Sequence, residues 1–158
     1  MNTRLSLAMY QPDIPQNVGA MLRLCACLGV EAHLIEPCGF PFDDRRIKRS
    51  GMDYLDHVAL VRHTTWKCFL AQRALKGGRL ILLTTKASQP YTDFSFLPDD
   101  RLIVGRESAG SPPEVHEAAD ARIRIPLRAE TRSFNVAMAA AMALGEALRQ
   151  TGGFPRLS

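Results

Sequence analysis

Apolar residues in this chain fall into two alternating patterns: short continuous runs, and longer stretches with apolar positions three and four apart. LSLAMY, residues 5–10, is the first continuous run and predicts a buried strand. Pro12 and Pro15 mark a turn. NVGAMLRLCACLG follows, with Val18, Met21, Leu22, Cys25 and Leu28 at helical spacing. It predicts a helix opened by Asn17 and closed by Gly29. EAHLIEP (31–37) predicts a strand stopped by Pro37, and DDRRIKRSG (43–51) a short basic helix. HVALVRH (57–63) predicts a third strand, and TWKCFLAQRAL (65–75) an amphipathic helix ended by Gly77 and Gly78. RLILLTT (79–85) and RLIVG (101–105) predict strands. The apolar centre of the first suits a sheet covered on both faces. SPPEVHEAAD (111–120) opens with prolines suited to a helix start. ARIRIPL (121–127) is the last predicted strand, and residues 133–150 the last helix.

Strands and helices alternate throughout, which defines an α/β class with a mainly parallel sheet flanked by helices. No repeat, low-complexity stretch or linker interrupts the pattern. Residues 1–158 are therefore read as a single domain, long enough to bury a real core.

Composition changes this picture little. Hydrophobic residues make up 46% and charged residues 23%, the balance of a soluble globular protein. No apolar run approaches the ~18 residues of a membrane span. MNTRLSLAMYQPDIPQ lacks the shape of a signal peptide, so a cytoplasmic location without membrane association is expected. Cys25, Cys27, Cys38 and Cys68 form no C-x-x-C pair and are expected to be reduced, packed or partly buried thiols. The four histidines are scattered, so no metal is expected.

The net charge of +4 leans mildly toward polyanions. Its distribution is more informative, because Arg45, Arg46, Lys48 and Arg49 fall within five positions. Such a cluster reads as a solvated helix face or as a phosphate-contacting patch, and charge alone favours the first.

In open α/β sheets, ligands bind beyond the carboxyl ends of the strands. Three predicted loops there carry unusual residues: TTKASQPY, GRESAGSPP and LRAETRSFN. Gly105 and Gly110 in the second permit close backbone approach to a ligand. Neither a dinucleotide fingerprint nor a Walker loop is present, and taken alone the segment reads as a structural turn. Asn17 reads as a helix cap or a ligand contact. Arg23 lies six positions further on, about 240° around the helix, so the two do not share a face. Flanked by Leu22 and Leu24, Arg23 reads either as snorkelling to water or as held in a pocket.

Three stretches occur in a telling order. They are P-x-N-V-G-A-M-L-R-L-C-A (15–26), I-V-G-R-E-S-A-G-S-P (103–112) and I-P-L-x-x-x-x-R-S-F-N-V-A (125–137). Together they resemble the three motifs of the SPOUT superfamily of knotted RNA methyltransferases, in the branch that methylates ribose 2′-hydroxyls. LIEPCGFPFDDRRIKRSGMDYLDH (34–57) is similar to the corresponding segment of the enzymes acting on cytidine or uridine 34, the wobble position of tRNA. The resemblance covers essentially the whole chain.

This resemblance implies a C-terminal trefoil knot, which the hydrophobic pattern does not show. It implies S-adenosyl-L-methionine as cofactor, S-adenosyl-L-homocysteine as product, and a homodimer acting on tRNA. Cofactor contacts would fall at Leu83, Thr84, Gly105, Glu107, Ile125, Leu127 and Ser133. Arg23 would act at the target 2′-hydroxyl. A guanidinium is a poor general base, so orienting the ribose or a phosphate and stabilising a developing alkoxide suits it better. Asn17, Glu107, Ser133 and Asn135 would hold Arg23, cofactor and nucleotide in register. Arg45, Arg46, Lys48 and Arg49 would contact RNA, with Arg4, Lys86 and Arg132 as helpers. The Ala- and Met-rich last helix would meet the core on one face and the partner on another. Alternatives within this fold are another tRNA or ribosomal RNA site, or an RNA-binding dimer without turnover. Arg106 stands where members often carry Pro or Asn, so an RNA contact or a pair with Glu107 is expected of it. Ala109 and Phe134 also depart from the usual pattern.

Overall fold

The computed structural model describes residues 4–43, 57–131 and 134–158. The predicted basic helix and its Arg45, Arg46, Lys48 and Arg49 lie outside these residues, as do Arg132 and Ser133.

Among the described residues, six strands form one sheet: β1 (Ser6–Tyr10), β2 (Glu31–Ile35), β3 (Leu60–His63), β4 (Leu80–Leu83), β5 (Arg101–Val104) and β6 (Ala121–Ile123). Their order across the sheet is β3-β2-β1-β5-β4-β6, and every pairing is parallel. Four helices cover it: α1 (Pro15–Leu28), α2 (Trp66–Lys76), α3 (Pro113–Ala118) and α4 (Val136–Thr151). The observed architecture is the α/β arrangement expected from the alternating pattern.

Both faces of the sheet are buried, which explains the continuous apolar strands. Leu7 and Met9 of β1 face α1 and α4, where they join Val18, Met21, Leu22, Leu144 and Leu148. Ala8 and Tyr10 face the other way, toward Phe69 of α2 and Val115 of α3. Phe69 is fully buried, edge-on to His33 and His63 and stacked on Trp66. The two buried histidines are joined Nδ1 to Nε2 at 2.8 Å, and His33 reaches Glu31 with its other nitrogen. Among the described residues, no helix is long and apolar enough to cross a membrane.

Several boundaries differ from the predicted ones. Helix α1 opens at Pro15, two residues early, because a proline at the first position sets φ and loses no needed N–H. Asn17 therefore lies inside the helix with its side chain buried, and it does not cap. Gly29 ends α1 at φ 67°, as predicted. Thr65 caps α2 by accepting from the Cys68 N–H at 3.1 Å. Strand β2 stops at Ile35, and β3 begins only at Leu60.

The largest difference is in the last strand, which pairs only over residues 121–123. At Arg124 the backbone bonds to the segment after β4 instead. Arg124 N–H donates to the Gln89 carbonyl at 3.0 Å, and Tyr91 N–H donates to the Arg124 carbonyl at 2.9 Å. Pro126 has no N–H for a ladder in any case. The thiols also differ in part: Cys25 is buried and Cys38 half-buried, but Cys27 and Cys68 are exposed.

Candidate active site

Strand β1 sits between β2, which follows it directly, and β5, which the chain reaches much later. The connections thus leave toward opposite sides, and a crevice opens at the carboxyl ends of the central strands. At that end lies a cavity of about 410 Å³. Its size suits a small organic ligand.

Four chain segments build its walls. The first turn of α1 contributes Ile14 and Asn17, and the end of β4 contributes Leu83, Thr84 and Thr85. The loop after β5 contributes Gly105, Arg106 and Glu107, and the segment after β6 contributes Ile125, Leu127 and Asn135. Apolar side chains at Leu83, Val104, Ile125 and Leu127 supply a surface for a flat ring. Polar groups gather at Glu107.

Three of these polar side chains form a chain of hydrogen bonds across distant parts of the sequence. Asn135 Nδ2 donates to Asn17 Oδ1 at 2.9 Å, and Asn17 Nδ2 donates to Glu107 Oε1 at 3.4 Å. Asn135 is also the cap of α4, accepting from the Ala137 and Met138 N–H groups at 2.8 and 3.2 Å. The predicted start of this helix at Ser133 moves to Val136, and the capping role falls to Asn135.

Asp13 joins the cluster, and the sequence reading did not single it out. Its backbone N–H donates to Glu107 Oε2 at 3.0 Å, and Ser108 Oγ donates to its Oδ2. Burial, and after it the neighbouring Asp13, push the Glu107 carboxyl above its ordinary value. Hydrogen bonds from Glu107 and then Ser108 hold Asp13 down at about 2. Of the two carboxyls, Asp13 is therefore the stronger acid and Glu107 the one that holds a proton more readily. The turn composition D-I-P was the available signal, but it pointed only to a turn.

The structure brings Asn17, Leu83, Thr84, Gly105, Glu107, Ile125, Leu127 and Asn135 together around one cavity. Arg23 is exposed on α1 and does not line it. Lys86 is exposed beyond β4, while Arg4 precedes β1 at the opposite end of the sheet. Arg106 lines the cavity but does not pair with Glu107, contrary to one of its two expected roles.

The wall is built for close approach. A Cβ at Gly105 would stand 2.5 Å from Ser111 Oγ and 2.7 Å from the Gly110 carbonyl carbon. Only glycine fits there without moving the loop. The buried Nε of Arg106 has no hydrogen-bond partner among the described residues. An apolar slot, a glycine wall, the Glu107 carboxyl and an orphaned guanidinium nitrogen suit a ligand with a flat base, a cation and an anion. S-adenosylmethionine has these parts, so the residues present fit it.

Comparison with known proteins places this fold and cavity in a defined class. Residues 4–145 match the model of the SpoU rRNA methylase family, and the chain belongs to that family. It is 66% identical over 151 residues to the tRNA (cytidine(34)-2′-O)-methyltransferase of Beijerinckia indica, covering 96% of this chain and 94% of that protein. A solved structure concerned with 2-OH methylation of C/U34 on tRNA is 37% identical, with a TM-score of 0.87. The match covers 94% of this chain and 96% of that one. The SpoU methyltransferase AviRb of Streptomyces viridochromogenes, in complex with AdoMet, is 25% identical with a TM-score of 0.82. That match covers 95% of this chain and 62% of the other.

Proposed function

We propose that this protein is an S-adenosylmethionine-dependent enzyme that methylates the ribose 2′-hydroxyl of nucleotide 34, cytidine or uridine, in tRNA. The observation that carries the assignment is 66% identity over nearly the full length of an enzyme named for that reaction. The cavity supports it with a fold-appropriate position and a ligand-sized volume.

The bound cofactor supplies an electrophilic methyl group on a sulfonium. The chain's own residues supply position. Leu83, Ile125 and Leu127 exclude water from a ring, and Gly105 brings backbone close to it. Glu107 presents its carboxyl group to a cationic ligand in the cavity. Asn17 and Asn135 keep Glu107 aligned, and Ser133 serves as a further polar contact. Arg23, on the outer side of α1, orients the target ribose or its phosphate and stabilises oxyanion character as the hydroxyl attacks. Most of the acceleration then comes from holding hydroxyl and methyl in line.

Three further features belong to this reading. The Arg124 backbone bonds to Gln89 and Tyr91 rather than extending β6, as it would where the C-terminal segment threads a trefoil knot. Met138 and Met142, one turn apart on α4, are 62% and 43% exposed, and with Phe134 they form an apolar stripe for a second copy of the chain. A homodimer buries that stripe beside the cavity. Arg45, Arg46, Lys48 and Arg49 contact tRNA phosphates, and the enzyme works as one domain in the cytoplasm without a metal.

Incubation with methyl-labelled S-adenosylmethionine and unmodified tRNA, followed by nucleoside mapping, tests the function. Label in a 2′-O-methylated pyrimidine at position 34 is expected. Label at another nucleotide would reject the site, and no label in any RNA would reject the activity.

A further inference from the structure

Arg106 is the one lysine or arginine among the described residues that line the cavity. Its backbone is fixed from both directions: Arg106 N–H donates to the Gly110 carbonyl at 3.2 Å, and Gly110 N–H returns to the Arg106 carbonyl at 2.8 Å. The paired backbone therefore fixes the point from which this side chain leaves the loop, at the cavity wall. Its Nε is buried and has no hydrogen-bond partner among the described residues.

The neighbouring acids do not serve it. Glu107 is engaged with the Asp13 N–H and with Asn17. Glu114 accepts from the Tyr10 hydroxyl at 3.4 Å. A guanidinium stays charged in a protein and presents a planar fork of donors. Burying part of that fork without an acceptor is unfavourable, and native sites supply the acceptor from protein, water or ligand. Here the side chain opens onto a ligand-sized cavity.

We propose that Arg106 is the oxyanion-binding residue of this cavity, taking a carboxylate or phosphate oxygen in its guanidinium fork. The inference rests on the methyltransferase reading, which offers two sources of that chemistry. One is the amino-acid carboxylate of the cofactor, and the other is a phosphodiester of the RNA beside the target nucleotide.

Binding measurements on Arg106→Met separate the sources, since methionine keeps the apolar stem and removes the fork. The probes are S-adenosylhomocysteine, methylthioadenosine (the same nucleoside and thioether without the amino acid) and tRNA across a salt series. If the carboxylate is the ligand, S-adenosylhomocysteine weakens about 10- to 100-fold while methylthioadenosine is unchanged. If the phosphate is the ligand, both small molecules bind as in the wild type, and tRNA weakens with its salt slope reduced by about 1. Arg106→Lys, which keeps the charge, recovers part of either loss and carries the test should the methionine variant unfold. Unchanged binding of all three probes would overturn the inference, and so would an equal loss for both small molecules. Wild-type protein that bound neither S-adenosylhomocysteine nor tRNA would instead overturn the methyltransferase reading, and this inference with it.

Discussion

The backbone N–H of Asp13 donates to Oε2 of Glu107 at 3.0 Å, tying the turn after β1 to the loop after β5 across 94 positions of sequence. The carboxyls of the two residues titrate in opposite directions. Glu107 is raised, by burial first and by Asp13 second, while Asp13 is held at about 2, by Glu107 first and Ser108 second. A raised group stabilises the fold fully below its unfolded value and loses that contribution as pH rises through its folded value. For Glu107 the loss begins above the ordinary value of 4.5. A lowered group does the reverse, so Asp13 loses its contribution only as pH falls toward about 2. Glu107→Gln keeps an acceptor oxygen for the Asp13 N–H and removes the titration. Thermal unfolding from pH 4.5 upward should show the wild type losing stability relative to Glu107→Gln. Parallel curves would mean that folding leaves the Glu107 pKa unshifted.

Asn135 does two jobs that substitutions can separate. Its Oδ1 caps α4, and its Nδ2 holds Asn17. Asn135→Ala removes both, and loss of the cap alone should cost about 1 kcal/mol in denaturant unfolding. Asn135→Asp keeps an acceptor for the helix N–H groups but presents no donor to Asn17. It should unfold near the wild-type midpoint and still lose methyl transfer. Full activity in Asn135→Asp would show that the link to Asn17 is dispensable.

The order of the elements was legible in the sequence because the central strands β1, β4 and β5 hold continuous apolar runs and the helices are set off by Pro, Gly or polar caps. What failed was local. Residues 121–127 alternate like a strand, yet the ladder ends at Ile123 and the bonding partners of Arg124 are Gln89 and Tyr91, which no pattern within the segment reveals. Asn17 reads as a cap because its type favours caps, but Pro15 starts the helix first and frees the amide to face Glu107. Most cavity residues were reached through motif resemblance, not periodicity. Asp13 was missed because its meaning lies in Glu107 and Ser108, far along the chain.

Gly105 offers a steric test of the cavity. A Cβ there would press on Ser111 Oγ at 2.5 Å and on the backbone of Gly110 and Ser111 at 2.7 Å. Backbone cannot rotate away as a flexible side chain would, so the loop itself must shift. Gly105→Ala should weaken S-adenosylhomocysteine binding by about tenfold or more in calorimetry. The core beneath, Ile103 and Val104, is untouched, so the change should leave most of the unfolding midpoint in place. Wild-type affinity in this variant would place the cofactor elsewhere.

Arg23 separates binding from transfer. It is exposed on α1 and lies outside the residues that line the cavity, whereas Asn17 on the same helix is buried within them. The helical offset between the two positions keeps one turned inward and the other outward. A residue so placed has no part in holding the cofactor, but it can meet an RNA lying across the cavity mouth. Arg23→Ala should therefore bind S-adenosylhomocysteine within about twofold of the wild type, yet lose methyl transfer by about a hundredfold or more. Single-turnover transfer at saturating tRNA distinguishes weak RNA binding from slow chemistry. A rate restored by excess tRNA assigns Arg23 to phosphate contact, and a rate that stays low assigns it to the reacting hydroxyl. Near-normal turnover at limiting tRNA would remove it from the mechanism.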